Sequence, residues 1–223
     1  MTATRIIVSG ATTALTRRTN LRKAFVAPWD PLVSQCWLYS LAYAQQETGV
    51  AVHCSTLVLN HHHTDVTPSS DNLPDFTRLL HREMSCALHA LLCERRYDAP
   101  RQVWDDRQAH HLRLLDAAAQ ASRLVYDHIN CPAAGLVERP EHMPGAWFDF
   151  GLWKTGFIEV ERPPVYFGER SELCAGPDRL RLELTPPPLL YRAFGGDMDK
   201  LVHHMNRLTE DARARRTTPR DRQ

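Results

Sequence analysis

Three consecutive histidines, His61, His62 and His63, follow a run of β-forming residues from Ser55 to Asn60. Along an extended strand successive side chains point to opposite faces. His61 and His63 therefore share one face and His62 points to the other. Two imidazoles two residues apart on one face supply half of a metal site. A fold that uses them must bring further ligands to that face.

Local signals organise the rest of the chain. Residues 5–17 read as a first strand region. Asp30 is placed to cap a helix opened by Pro31, with Leu32, Cys36, Tyr39 and Tyr43 at helical spacing and Gly49 as its stop. Residues 50–53 and 55–66 read as two β-type runs of a tight hairpin. A helix is predicted over 73–95, its apolar face carrying Leu73, Phe76, Leu80, Ala87, Leu88 and Leu91. A short strand around Gln102-Val103-Trp104 follows, then a helix over 109–130 that ends near Pro132 and Gly135. This order predicts an α+β fold: a ferredoxin-like antiparallel sheet with helices packed on one face. Residues 1–150 form that domain. Residues 151–223 form a C-terminal extension, rich in Pro and Gly pairs through residue 195. It ends in an amphipathic helix over 197–212 and an Arg-rich tail expected to be disordered.

Composition excludes several classes. The 223 residues carry a net charge of +1, so nucleic-acid contact requires local clusters. Arg17, Arg18, Arg22 and Lys23 form one such cluster; Arg213, Arg215, Arg216, Arg220 and Arg222 form another. The six cysteines show no C-x-x-C pair, which excludes a zinc ribbon or finger and reads as reduced, buried small side chains. No apolar run approaches the roughly 20 residues of a membrane helix, and there is no signal peptide. The expected location is the cytoplasm, with no membrane partner.

The third helix supplies a counterpart to the histidines. Tyr126 and Asn130, four residues apart, lie on nearly the same helix face. Tyrosine offers a phenol nucleophile, and asparagine an amide oxygen suited to a hard cation such as Mg²⁺ or Mn²⁺. Asp65 shares the His61/His63 face; it reads as a solvated strand-end carboxylate rather than a group that orients a histidine. His128 points away from the Tyr126/Asn130 face, and the tryptophans are expected mainly in the core.

Two segments together resemble a known family. Leu59-Asn60-His61-His62-His63-Thr64 resembles the H-hydrophobic-H strand of the HUH endonucleases. The stretch from Tyr126 through Asn130 to Ala134-Gly135-Leu136-Val137 is similar to the Y-I-x-x-N-P-x-x-A-G-L-V segment of single-tyrosine bacterial transposases. REP-associated tyrosine transposases are the nearest subgroup. Glu138-Arg139-Pro140-Glu141-His142-Met143-Pro144 is similar to their x-R-P-E-x-Y-P continuation, and Thr16-Arg17-Arg18 to their T-x-R region. Three positions depart: His62 replaces an aliphatic residue, Asp127 an isoleucine, and Cys131 the proline after the asparagine.

The resemblance implies His61, His63 and Asn130 as ligands of Mg²⁺ or Mn²⁺, and Tyr126 as nucleophile. It implies cleavage and rejoining of single-stranded or hairpin DNA through a 5′-phosphotyrosine, in a bacterial, nucleoid-associated setting, with Arg17, Arg18, Arg22 and Lys23 against the DNA. A homodimer and a monomer both remain open. The alternatives are a catalytically inactive, domesticated hairpin-binding relative, and a metal-dependent hydrolase of small substrates with an enclosed apolar pocket at the histidines.

Overall fold

The computed structural model describes residues 6–167 and 176–217. Four strands, β1 (Thr13–Arg18), β2 (Ala51–Leu57), β3 (His61–Thr67) and β4 (His110–Arg113), form one antiparallel sheet in the order β2-β3-β1-β4. The helices are α1 (Pro31–Thr48), α2 (Leu73–Glu94), α3 (Ala117–His128) and the one-turn α4 (Asn130–Ala133). Beyond them lie α5 (Leu152–Thr155), the hairpin of β5 (Phe157–Glu161) and β6 (Arg179–Glu183), α6 (Pro188–Ala193) and α7 (Met198–Thr217).

The predicted antiparallel sheet with packed helices is present, but helices cover both of its faces. On β3, His62 meets Trp37 of α1 and His81 of α2, whereas His63 meets Arg123 and Asp127 of α3. Both faces of the strand are buried, so both need a cover. A bulge between Val52 and Cys54 shifts the pairing of β2 and turns His53 toward Thr67, whose hydroxyl lies 2.7 Å from His53 Nε2.

Several local readings hold. Asp30 caps α1 by accepting from Leu32 N at 3.1 Å, and Gly49 ends it in the left-handed conformation (φ 67°). Leu73, Phe76, Leu80, Ala87, Leu88 and Leu91 of α2 are all buried.

Others are corrected. The chain turns at 58–60, so Ser55, Thr56 and Leu57 belong to β2 and the histidines begin β3 instead of lying within one run over 55–66. Residues 110–113, predicted as helix, form β4 because they pair with β1. The helix starts at Ala117, where Asp116 caps it by accepting from Ala119 N at 2.7 Å. Trp104 makes only a single bridge, to Thr19. The C-terminal part is more regular than predicted, and Trp153, Val160, Leu182, Leu190, Leu201 and Met205 share the hydrophobic cluster of α1 and α2.

Cys36, Cys54 and Cys131 are buried as predicted, but Cys86 is half-buried and Cys93 exposed. Cys174, Arg220, Arg222 and the tail beyond Thr217 lie outside the described residues, as does the side chain of Arg216. Among the described residues no helix is long and apolar enough to cross a membrane.

Candidate functional site

The side chains that face α3 come from three strands. Register places Thr16 and Arg18 of β1 opposite His63 and His61, and Thr56 of β2 opposite His63. The His61 and His63 rings meet edge to face with centroids 4.8 Å apart. Asn130 Nδ2 lies 2.8 Å from His63 Nε2, and the Tyr126 ring stands perpendicular to His63 at 6.0 Å. Helix α3 ends at His128, and Asn130 opens α4, so a break at Ile129 separates Tyr126 from Asn130. Both still reach His63. Tyr126 is 46% exposed, so the residue is reachable from solvent.

The hydrogen bonds around His61 determine its tautomer. Asn60 Nδ2 donates to the Arg22 carbonyl (3.1 Å), which turns Asn60 Oδ1 toward His61 Nδ1 at 2.9 Å. Nδ1 must then carry the proton, leaving the Nε2 lone pair of His61 free. Burial, reinforced by the charge of Arg18, lowers the His61 pKa to about 4. Burial first, then the neighbouring His61 and Arg123, lowers that of His63 to about 2. Both rings are neutral at neutral pH, the form that binds a cation.

Arg123, which the sequence reading did not single out, joins the parts. Its Nη2 donates to His63 Nδ1 at 2.9 Å and to Thr16 Oγ1 at 3.2 Å. Its Nε donates to Asp127 Oδ2 at 2.8 Å, and its guanidinium lies 5.2 Å from the centre of the Tyr126 ring. Only its position one turn before Asp127 and near Tyr126 could have signalled this role.

Asp65 is not the solvated carboxylate expected. It is fully buried, and neither of its oxygens has a hydrogen-bond partner. Burial raises its pKa to about 6 and raises that of Asp127 well above the carboxylate range. The two carboxyls are electrostatic neighbours, and the Asp65 charge adds to the upward push on Asp127.

The donor set fits a small hard cation. Among the described residues no cluster of three His, Cys, Asp or Glu side chains could hold a metal, and the Asn130 amide is the further donor that lies beside the His63 imidazole. The buried Asp127 Oδ1 lies 3.1 Å from His63 Nδ1 yet accepts no hydrogen bond. An acceptor is therefore in place for an Nδ1 proton, the tautomer His63 needs if Nε2 is to bind a cation.

The basic residues separate. Arg18 shares the face of His61 and His63, and Arg22 and Lys23 are exposed in the turn after β1, beside Asn60. Arg17 lies on the opposite face, 5.9 Å from the centre of the Trp104 ring. There it lines a groove of about 710 Å³ with Arg78, Arg82, Arg101 and Tyr166. A second cleft, of about 400 Å³, lies directly beside Tyr126; Leu208, Ala212 and Arg215 of α7 form its far wall. His128 is buried against Phe150 and Trp147 and takes no part in the site. Trp37, Trp104 and Trp153 are core residues, whereas Trp29 is exposed.

No protein family matches the chain by sequence, and no curated protein matches it. Among solved structures it is similar to a REP-associated tyrosine transposase bound to a REP hairpin. The identity is 14% and the TM-score 0.55, over 79% of this chain and 97% of that one. A candidate transposase from Deinococcus radiodurans R1 also aligns, at 14% identity over 56% of this chain and 95% of that one; its TM-score of 0.37 carries no argument. The chain thus has the fold of the REP-associated tyrosine transposase: a four-stranded antiparallel sheet with helices packed against it.

Proposed function

We propose that this protein is a single-tyrosine DNA strand transferase that cleaves and rejoins single-stranded DNA next to a hairpin. The observation that carries the reading is the convergence of His61, His63, Asn130 and Tyr126, which lie on two separate stretches of chain, at one patch of the sheet. The resemblance of both stretches to HUH transposases supports it, and so does the fold shared with a transposase that binds a hairpin.

In this reading His61, His63 and Asn130 would hold Mg²⁺ or Mn²⁺, which would supply Lewis acidity when bound. Tyr126 Oη attacks phosphorus in line with the leaving 3′ oxygen. The phosphorus–O3′ bond breaks, a 5′-phosphotyrosine forms, and the 3′ oxygen takes up a proton as a free hydroxyl. Arg123 places a positive charge beside the phenol as it loses its proton. The 3′ hydroxyl of a second strand reverses the step, so joining needs no external energy source. Arg18, Arg22 and Lys23 bind backbone phosphates on the site face, and the groove of Arg17, Arg78, Arg82 and Arg101 contacts the duplex stem on the other. The expected setting is the bacterial cytoplasm, at the nucleoid.

The test uses hairpin oligonucleotides labelled at either end, with Mn²⁺. Wild type should form a covalent adduct that retains the label 3′ of the cut, and Tyr126→Phe should form none. Hairpin binding without an adduct from wild type would instead identify an inactive DNA-binding relative.

A further inference from the structure

Asp127 stands where the resembled family carries isoleucine, and the structure gives the substitution a use. A neutral imidazole has one N–H. His63 Nδ1 is flanked by Arg123 Nη2 at 2.9 Å, Thr16 Oγ1 at 3.1 Å and Asp127 Oδ1 at 3.1 Å. While Nδ1 accepts from Arg123, the ring proton sits on Nε2 and no cation can bind there. Moving that proton from Nε2 to Nδ1, with no net gain or loss, frees the Nε2 lone pair. The moved proton then needs an acceptor at Nδ1.

The buried acceptor within reach is Asp127 Oδ1, which has no other partner. Asp127 is held from one further side, where Arg123 Nε donates to its Oδ2 at 2.8 Å. An isoleucine at this position would leave the Nδ1 proton without a carboxylate. We propose that Asp127 is the positioning residue for His63: it accepts the Nδ1 proton and so turns the Nε2 lone pair toward a divalent cation, with Arg123 holding Asp127 in place. The inference rests on the ligand set of the proposed function and goes beyond it by adding a buried carboxylate behind one ligand.

The experiment measures Mn²⁺ affinity of the full-length protein by calorimetry, for wild type, Asp127→Ile and Asp127→Asn. It also reads the His63 tautomer from ¹⁵N-histidine NMR with saturating Mg²⁺. Wild type should show an Nδ1–H tautomer at His63. Both variants should bind Mn²⁺ about 10–100-fold more weakly and lose that signature. A merely structural role would lower thermal stability and leave the tautomer unchanged, which overturns the proposal. Equal Mn²⁺ affinity in wild type and in either folded variant overturns it as well. If wild type itself binds no Mn²⁺, or if His63→Ala binds as wild type does, the ligand set fails and this role falls with it.

Discussion

His62 Nε2 lies 2.9 Å from His81 Nε2, joining β3 to α2 in the core on the face away from the candidate site. Directions follow along the chain of contacts. The backbone carbonyl of Thr77 accepts from His81, so His81 Nε2 is an acceptor and His62 Nε2–H donates to it. His62 Nδ1 then accepts from Thr64 Oγ1 (2.9 Å), Thr64 accepts from Ser55 Oγ (2.9 Å), and Ser55 accepts from Trp37 Nε1 (3.1 Å). Every member is satisfied, so a histidine at an aliphatic position is accommodated instead of straining the core.

Replacing His62 with leucine, the residue type of the resembled family, should destabilise the protein. It leaves the Thr64 hydroxyl and His81 Nε2 without their partner in the core, a cost of about 1–3 kcal/mol. His62→Ala adds a cavity beside Trp37 and should cost about 2–5 kcal/mol. Urea denaturation measures both, and Mn²⁺ affinity should stay at the wild-type value because the site lies across the sheet. Undiminished stability of His62→Leu would show that the hydrogen-bond chain contributes nothing.

Tyr126→Phe should abolish the covalent DNA adduct while changing stability by less than about 0.5 kcal/mol, since the residue is 46% exposed. Gel analysis of the adduct, with a thermal melt of the same sample, separates the two effects. An adduct from the variant would move the nucleophile elsewhere.

Arg123→Ala removes the cation that pairs with buried Asp127, at 2.8 Å. Breaking a buried ion pair from one side costs about 3–5 kcal/mol. Chemical denaturation should show a loss of that order, with Asp127→Ala/Arg123→Ala together costing less than the sum of the single changes. Additive losses would refute the pairing.

Stability should fall on acidification below about pH 6.5. Burial holds His53 and His128 at about 4 and His62 and His81 well below their ordinary value, so each is neutral in the fold. Between pH 6.5 and 4 the unfolded chain takes up more protons than the folded one, and the equilibrium shifts toward unfolding as pH drops. Asp65, raised to about 6, and Asp127, raised well above its ordinary value, work in the opposite direction, two carboxyls against four histidines. Melting temperatures measured from pH 7.5 to 4.5 should decline through this window; a flat profile would mean the histidines are not buried as described.

Charge reversal in the groove across the sheet, Arg78→Glu with Arg101→Glu, should weaken hairpin binding and reduce the slope of log affinity against log salt by about 2. Fluorescence anisotropy at several salt concentrations measures this. An unchanged slope would remove the groove from the DNA contact.

The features legible in the amino-acid order are local or periodic. The Asp30–Pro31 start and Gly49 stop of α1 and the apolar stripe of α2 are encoded within a turn or two of chain. The alternation that parts His62 from His61 and His63 follows from the strand's period of two, whichever partners arrive. The tertiary structure alone decided the partners. Residues 110–113 became a strand because the edge of β1 was open to them, not by propensity. Arg17 and Arg18 part by the same alternation, but the groove beside Trp104 that Arg17 reaches was set by the packing across the sheet. Asp65 and Asp127, 62 positions apart, became buried carboxyl neighbours only when α3 closed over β3. Such pairings depend on long-range packing and desolvation, and no short window of sequence carries that information.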